Sequence, residues 1–244
     1  PATIDQALDN SLRALKTDYI DLYQLHWPNR GSYMFRKNWL YDPSTQDSAA
    51  VIDHMVETLY HLEKCRDQGK IRHVGLSNES AWGTMRWLSI AAAHNLPRMV
   101  SVQNAYNLLN RIYELGASEI FHREGVGLLA YSPLAQGYLT GKYQGGAMPQ
   151  GSRKQLFDRL QRYEVDGAEA VIDNYLNIAK KYGLDASQLA NQFVTTRDFV
   201  TSNIIGATSM EQLKLAVTSI DVELSEEILA DIEKVHSRAP NLCP

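Results

Sequence analysis

Polar side chains close five apolar stretches of this chain, and they are the first candidates for chemistry. His26 closes Ile20-Asp21-Leu22-Tyr23-Gln24-Leu25, and Ser77-Asn78 closes Val74-Gly75-Leu76. Gln103-Asn104 closes Val100-Ser101-Val102, and Tyr131-Ser132-Pro133-Leu134 closes the run from Val126. Gly206-Ala207-Thr208-Ser209 closes Ser202–Ile205. Polar groups gathered at one rim of an apolar parallel sheet are how such folds build a site.

The last two of these loops suit phosphate. Gly137, Gly141, Gly145, Gly146 and Gly151 let backbone N–H groups approach a ligand, with Lys142 and Arg153 supplying charge. The helix opened by Ser209 points its partial positive charge toward the neighbourhood of Gly206.

Each residue also has a plainer role open to it. His26 can be a satisfied packing histidine, Asn78 can cap the next helix, and Tyr131 can be core. Ser209 and Gln212 have the spacing of a capping box, which gives Gln212 a structural task. That all five strand ends follow the pattern weakens these plainer roles.

Competing motifs fail. Gly137…Gly141-Lys142 is one residue short of a Walker loop, and Tyr143 stands where a magnesium-holding Ser or Thr belongs. No G-x-G-x-x-G opens a helix after a strand, and no H-E-x-x-H occurs. His54 and His61 lie two turns apart on one helix, too far to share a metal without other ligands.

The elements that position these residues alternate. A helix is expected over 3–16, where Ile4, Ala7, Leu8, Leu12 and Leu15 form a stripe and Thr3 with Gln6 fits a capping box. The strand ending at His26 follows. A long segment, 27–50, carries Tyr33, Phe35, Trp39 and Tyr41 and reads as a lid or pocket wall. Further helices are expected from Val51 to Gly69 and over 79–95, 108–123, 167–182, 187–196, 209–218 and 225–236. Strands are expected at Ile71–Leu76, Met99–Gln103, Val126–Tyr131 and Ser202–Ile205. Strand alternating with helix, with apolar strands, means an α/β fold with a parallel sheet covered on both faces. Five strands fit either part of a closed barrel, which needs eight, or an open doubly wound sheet.

The 244 residues fit one domain, 1–244, with a hydrophobic share of 44%, a charged share of 21% and a net charge of −4. That charge gives no basis for a nucleic-acid partner. No apolar run is long enough to span a bilayer, and Pro1-Ala2-Thr3-Ile4-Asp5 does not read as a signal peptide. Cys65 and Cys243 form no disulfide framework and suit a reducing cytoplasmic setting.

Taken together, the motifs resemble the aldo-keto reductases, and nearest among them the Tas-like bacterial branch related to potassium-channel β subunits. The similarity runs through Asp18–Pro28, Gly69–Asn78, Gln103–Arg111, Tyr131–Leu134 with Gly137 and Gly141-Lys142-Tyr143, and Ile205–Ser209 with Glu211-Gln212-Leu213. It implies a (β/α)8 TIM barrel binding NADPH across its C-terminal rim and reducing aldehydes or ketones. It further implies that His26 orients the carbonyl oxygen, that Ser77, Asn78 and Gln103 hold the nicotinamide carboxamide, and that Tyr131 stacks on the nicotinamide ring. Ser132, Leu134, Gly137 and Lys142 would line the pyrophosphate, with Gly206 beside the phosphates. Arg153, Thr208 and Gln212 would contact the adenosine phosphates, and Arg153 with Gln212 favours NADP over NAD.

Two departures accompany the resemblance. Leu215 and Ala216 stand where many relatives place a Glu-Asn pair at adenine. The family's first three βα units, which carry its catalytic Asp, acid Tyr and Lys, find no match in residues 1–244. Asp166-Gly167-Ala168-Glu169-Ala170-Val171 has Val171 where the Tyr is needed. Hydride addition to a carbonyl needs a proton donor, so low turnover is expected of these residues alone. The alternative is a non-catalytic nucleotide-binding or interaction module. In it, the open edges of the His26 strand and the Ser202 strand permit self-association. An α/β binding domain unrelated to reductases leaves the five motifs without a common cause.

Overall fold

The structure is a computed structural model that describes residues 3–157 and 160–244. Pro1 and Ala2, the start of the stretch that does not read as a signal peptide, lie outside the described residues. Helices and strands alternate as the patterning implies. They run α1 (Ile4–Leu15), β1 (Ile20–Leu25), α2 (Ser48–Asp67), β2 (Ile71–Ser77), α3 (Ala81–His94), β3 (Met99–Ala105) and α4 (Ala117–Glu124). They continue through β4 (Gly127–Tyr131), α5 (Arg153–Leu156), α6 (Ala168–Lys181), α7 (Ala186–Thr195), β5 (Val200–Ile204), α8 (Met210–Thr218) and α9 (Glu226–Arg238).

The chain groups into two compact units, Pro1–Gln103 with Glu119–Gly127, and Asn104–Ser118 with Leu128–Pro244. In the first, β1 pairs with β2 in parallel, Leu25 beside Leu76. β2 pairs in turn with β3, Ser77 beside Gln103. The three strands therefore bring His26, Ser77 and Gln103 to one end. Met55, Leu59 and Leu62 of α2 pack there with Ile71, Val74 and Leu76, all 2% exposed or less. Burial of such side chains is worth about 1.5–3 kcal/mol each. In the second unit β4 pairs with β5 in parallel, Tyr131 beside Ile204. Leu128, Ile172, Leu189, Phe193 and Val194 form its core.

α1 begins as its cap implies, with Thr3 Oγ1 accepting from Gln6 N at 3.2 Å. Its stripe is only partly buried: Leu8 and Leu12 are inside, while Leu15 is 64% exposed. α2 starts at Ser48 rather than Val51, because Asp47 Oδ1 accepts from Ala49 N and Ala50 N and fixes an earlier first turn. The helix expected over 108–123 is instead a 3₁₀ turn, Ile112–Glu114, followed by α4. Asn107 is the cause. Its Oδ1 accepts from Leu109 N, and Asn107 and Asn110 exchange backbone hydrogen bonds at 3.0 Å, closing a tight turn where a helix would begin. The short α5 went unanticipated within the glycine-rich loop. Among the described residues, no helix is long and apolar enough to cross a membrane.

Candidate active site

In the first unit, Asn78 organises the strand ends. It is 2% exposed and sits at φ +54°, in the left-handed region. Its Nδ2 donates to the His26 carbonyl at 2.9 Å and to Ser77 Oγ at 3.1 Å, and its backbone N donates to the Gln103 carbonyl at 3.0 Å. Ser77 Oγ donates to that same carbonyl at 2.8 Å. Asn78 does not cap α3; Ser80 does, accepting from Gly83 N at 3.1 Å. A short polar side chain tolerates the left-handed geometry better than most, which suits Asn to this corner. His26, Ser77, Asn78 and Gln103 are thus brought together, with His26 exposed and Gln103 half-buried.

A cavity of about 1070 Å³ opens beside His26. Trp27, Pro28 and Trp87 give it apolar walls, and His54, Arg30 and Glu79 add polar groups. Tyr23 also lines it, and burial, followed by the charge of Cys65, pushes its phenol above the ordinary value. Only the two ends of the 27–50 segment reach the cavity, Trp27, Pro28, Asn29 and Arg30 at one end and Gln46, Asp47 and Ala50 at the other. The aromatic tip does not line it. Tyr33 packs edge-on against Tyr41 at 4.7 Å and Phe35 edge-on against Trp27 at 6.0 Å, while Trp39 is 83% exposed.

The loop base is held by a buried ion pair that the sequence reading passed over. Arg30 Nη1 donates to Glu79 Oε2 at 3.0 Å, and its Nη2 donates to Oε1. Glu79 also accepts from Ser80 N at 2.7 Å and Trp87 Nε1 at 3.2 Å. The two side chains are 10% and 2% exposed. Gly83 makes room for them: a Cβ there would fall 2.1 Å from Glu79 Oε1. The Arg30 carbonyl accepts from Gln46 Nε2 at 2.6 Å, which ties both ends of the loop to one point. Ser32 Oγ donates to the Asn78 carbonyl at 2.7 Å, so the loop meets the His26 corner as well. Glu79 reads in sequence as an ordinary first-turn acid, and nothing in the spacing pairs it with Arg30.

The second unit holds the remaining candidates. Tyr131 is half-buried and is hydrogen-bonded with Arg162. Burial alone would lower the Arg162 pKa, but the charges of Tyr163 and Tyr131 and hydrogen bonds to both raise it. Asn107, fully buried, donates through Nδ2 to the Ser132 carbonyl at 3.0 Å and to Tyr163 Oη at 3.2 Å. Asn107 and Arg162 therefore set the stretch around Tyr131 and Ser132. The sequence offered a motif for Asn107, but for Arg162 it offered no signal.

The glycine-rich loop differs in one respect from the reading of its residues. Its N–H groups serve its own turns: Gly137 N donates to the Leu134 carbonyl at 2.8 Å and Gly141 N to the Tyr138 carbonyl at 3.0 Å. Gly145 N donates to Glu169 Oε1 at 2.6 Å and Gly151 N to Gln155 Oε1 at 2.5 Å. These four N–H groups are committed to partners within the protein. Ser132, Ala135, Gln136 and Gly137 all have positive φ, a run of strained backbone of the kind that clusters at functional sites. The loop is braced by Tyr138 and Lys154, both on Glu164, with Lys154 Nζ at 3.1 Å. Those contacts, the Tyr138 hydrogen bond foremost, hold the Glu164 carboxyl below its usual range. The Lys142 ammonium lies 5.2 Å over the Tyr143 ring.

Arg153 opens α5 behind its Ser152 cap and is exposed. Thr208 and Gln212 are joined, Gln212 Oε1 accepting from Thr208 N at 2.9 Å and from Thr208 Oγ1 at 3.1 Å. Ser209 Oγ accepts from Gln212 N at 3.2 Å. Gln212 thus does the structural work its spacing allowed, with its amide nitrogen left as a donor. Gly206 is exposed with nothing within 4 Å of a Cβ position. Among the described residues, no group of three or more His, Cys, Asp or Glu stands close enough to hold a metal.

Comparison with known proteins places these strand ends in context. The Aldo/keto reductase family model matches residues 1–237. Protein tas of Escherichia coli K12 is 48% identical over 233 residues, 96% of this chain and 66% of that protein. An aldo-keto reductase of Babesia bovis is 40% identical over 219 residues, covering 86% of this chain and 76% of that protein. L-glyceraldehyde 3-phosphate reductase of Escherichia coli K12 is 30% identical over 235 residues, covering 93% and 61%. The chain spans just under two thirds of the length of the tas proteins it matches.

Proposed function

Since the chain belongs to the aldo/keto reductase family of oxidoreductases, we propose that it serves NADPH-dependent reduction of an aldehyde or ketone to an alcohol. The observation that carries this is the Asn78 corner, where one buried amide fixes the backbone of His26 at the mouth of a large, largely apolar cavity.

In this reading residues 1–244 form one barrel-class domain, with their five strands corresponding to the last five of the family barrel. His26 orients the carbonyl oxygen. Gln103, whose side chain makes no hydrogen bond among the described residues, binds the carboxamide together with Ser77 and Asn78. Tyr131, steadied by Arg162, offers its ring face to the nicotinamide. Ser132, Leu134, Gly137 and Lys142 border the pyrophosphate, with Gly206 beside it, and Arg153, Thr208 and Gln212 meet the adenosine phosphates. The preference for NADP over NAD rests on Arg153 and the Gln212 amide. When bound, the cofactor supplies hydride. The chain's part is to hold the ring and the carbonyl in register and to exclude water. The chemistry suits a reducing cytoplasm, and Cys65 and Cys243 are buried unpaired thiols.

A second reading, a nucleotide-binding or self-associating module, is favoured by one observation. Tyr23 is the tyrosine lining the His26 cavity, and its pKa is raised, opposite to what an acid catalyst needs. Exposed residues on β1 and β5 would then serve strand-edge pairing. The test is fluorescence titration of the 244-residue chain with NADPH, followed by NADPH oxidation with an aldehyde. We expect saturable binding with turnover far below that of reductases that carry the family's acid Tyr. Absence of NADPH binding overturns the reductase reading, and family-like rates overturn the inference that these residues lack a proton donor. Sedimentation as a monomer counts against edge pairing.

A further inference from the structure

The charges around the His26 cavity are unequal. Arg30 is the only lysine or arginine lining it among the described residues, whereas Asp47, Glu57 and Glu79 are all there. Arg30 is also spent. Both terminal nitrogens are on Glu79, one of them touches Ser80 Oγ at 3.4 Å, and its guanidinium lies 5.1 Å over the Trp82 ring. A two-point guanidinium–carboxylate pair is among the strongest polar contacts a protein makes. Glu79 in turn has both oxygens filled, by Arg30, Ser80 N and Trp87 Nε1.

A carboxylate or phosphate entering this cavity meets no unpaired lysine or arginine among the described residues. To recruit Arg30 it must expel a carboxylate that is 2% exposed, leaving that charge buried and unpaired, which is strongly unfavourable. It must do so against the remaining field of Asp47 and Glu57. A neutral, ring-bearing carbonyl compound meets Trp27, Pro28 and Trp87 instead, with the imidazole of His26 for its oxygen.

We propose that Glu79 is the specificity-determining residue of this cavity: by neutralising Arg30 it restricts the site to uncharged carbonyl substrates and excludes those bearing a carboxylate or phosphate. The assignment rests on the carbonyl-reductase reading for its purpose, but it is measured without cofactor.

The experiment uses the 244-residue chain and follows tryptophan fluorescence, since Trp27 and Trp87 line the cavity. It compares para-nitrobenzaldehyde with para-carboxybenzaldehyde at neutral pH. The wild-type chain should bind the neutral aldehyde about tenfold more tightly or better. Glu79→Gln leaves the Arg30 charge unpaired and should improve binding of the carboxylate about tenfold, narrowing or reversing that ratio. The double variant Arg30→Gln/Glu79→Gln, which removes both charges, should return to a neutral preference. Equal or tighter wild-type binding of the carboxylate overturns the proposal. So does a folded Glu79→Gln chain with an unchanged ratio. If Glu79→Gln does not fold, the wild-type ratio and the double variant decide. Failure of NADPH to bind while the aldehyde ratio holds would sink the reductase reading and leave this assignment standing.

Discussion

The Asn78 side chain donates to the backbone carbonyl of His26 at 2.9 Å from a residue held at φ +54°. One residue therefore carries two constraints, a left-handed backbone at the end of β2 and a hydrogen bond that fixes the end of β1. They separate by substitution. Asn78→Gly keeps the backbone and loses the amide, at a cost of about 1–3 kcal/mol for leaving a buried partner unmet. Asn78→Ala adds about 1–2 kcal/mol of left-handed strain. Urea unfolding should rank the wild type above Gly and Gly above Ala, and both variants should bind para-nitrobenzaldehyde less tightly. Equal losses in Gly and Ala would show that the backbone angle plays no part.

Much of this corner was legible in the sequence because strand ends announce themselves. Apolar runs stop at His26, Ser77-Asn78, Gln103 and Tyr131, and the strands were expected within two residues of where they lie. Local capping is legible too: Thr3 and Ser209 both cap the helices they precede. Contacts between residues distant in sequence were not. Arg30 and Glu79 are separated by 49 positions, and no periodicity connects a loop arginine with a glutamate that precedes a helix cap. No helix begins at Leu108 because Asn107 closes a turn there with its own side chain, a contact that the apolar pattern does not reveal. The loop glycines were read by composition, which cannot tell whether an N–H group is committed to a turn.

His236 on α9 makes stability depend on pH. Among the described residues its Nδ1 is buried without a hydrogen-bond partner, and burial, then the nearby Arg111 charge, pulls its pKa below the ordinary 6.5. The folded chain thus holds it neutral, while the unfolded chain takes up a proton as pH falls through 6.5. Stability should decline from that pH down to the lower folded value and level off below it. Glu114, held below the usual carboxylate range chiefly by the Arg111 hydrogen bond against the opposing effect of burial, loses its contribution at still lower pH, below 4.5. Urea midpoints between about pH 7 and 5 should fall in the wild type and fall less in His236→Gln. Parallel profiles would remove His236 from the account.

Gly137 separates the glycine-rich loop's shape from its charge. It sits at φ +103°, and an added Cβ would lie 2.8 Å from Lys142 Cε and 3.1 Å from Lys142 Nζ. Gly137→Ala must therefore both strain the backbone, by roughly 1–3 kcal/mol, and push the ammonium off its seat over Tyr143. Lys142→Ala removes the charge without the strain. If the loop holds the cofactor's pyrophosphate through Lys142, both variants weaken NADPH binding several-fold in fluorescence titration, and only Gly137→Ala also lowers the unfolding midpoint. Gly206→Ala is the matched control on the other proposed phosphate loop, because nothing stands within 4 Å of its Cβ position. It should leave stability unchanged. Aldehyde binding, which depends on the cavity beside His26, should be unaffected in all three. Retained NADPH affinity in Lys142→Ala would mean that the ammonium does not touch the pyrophosphate, whatever the fate of Gly137→Ala.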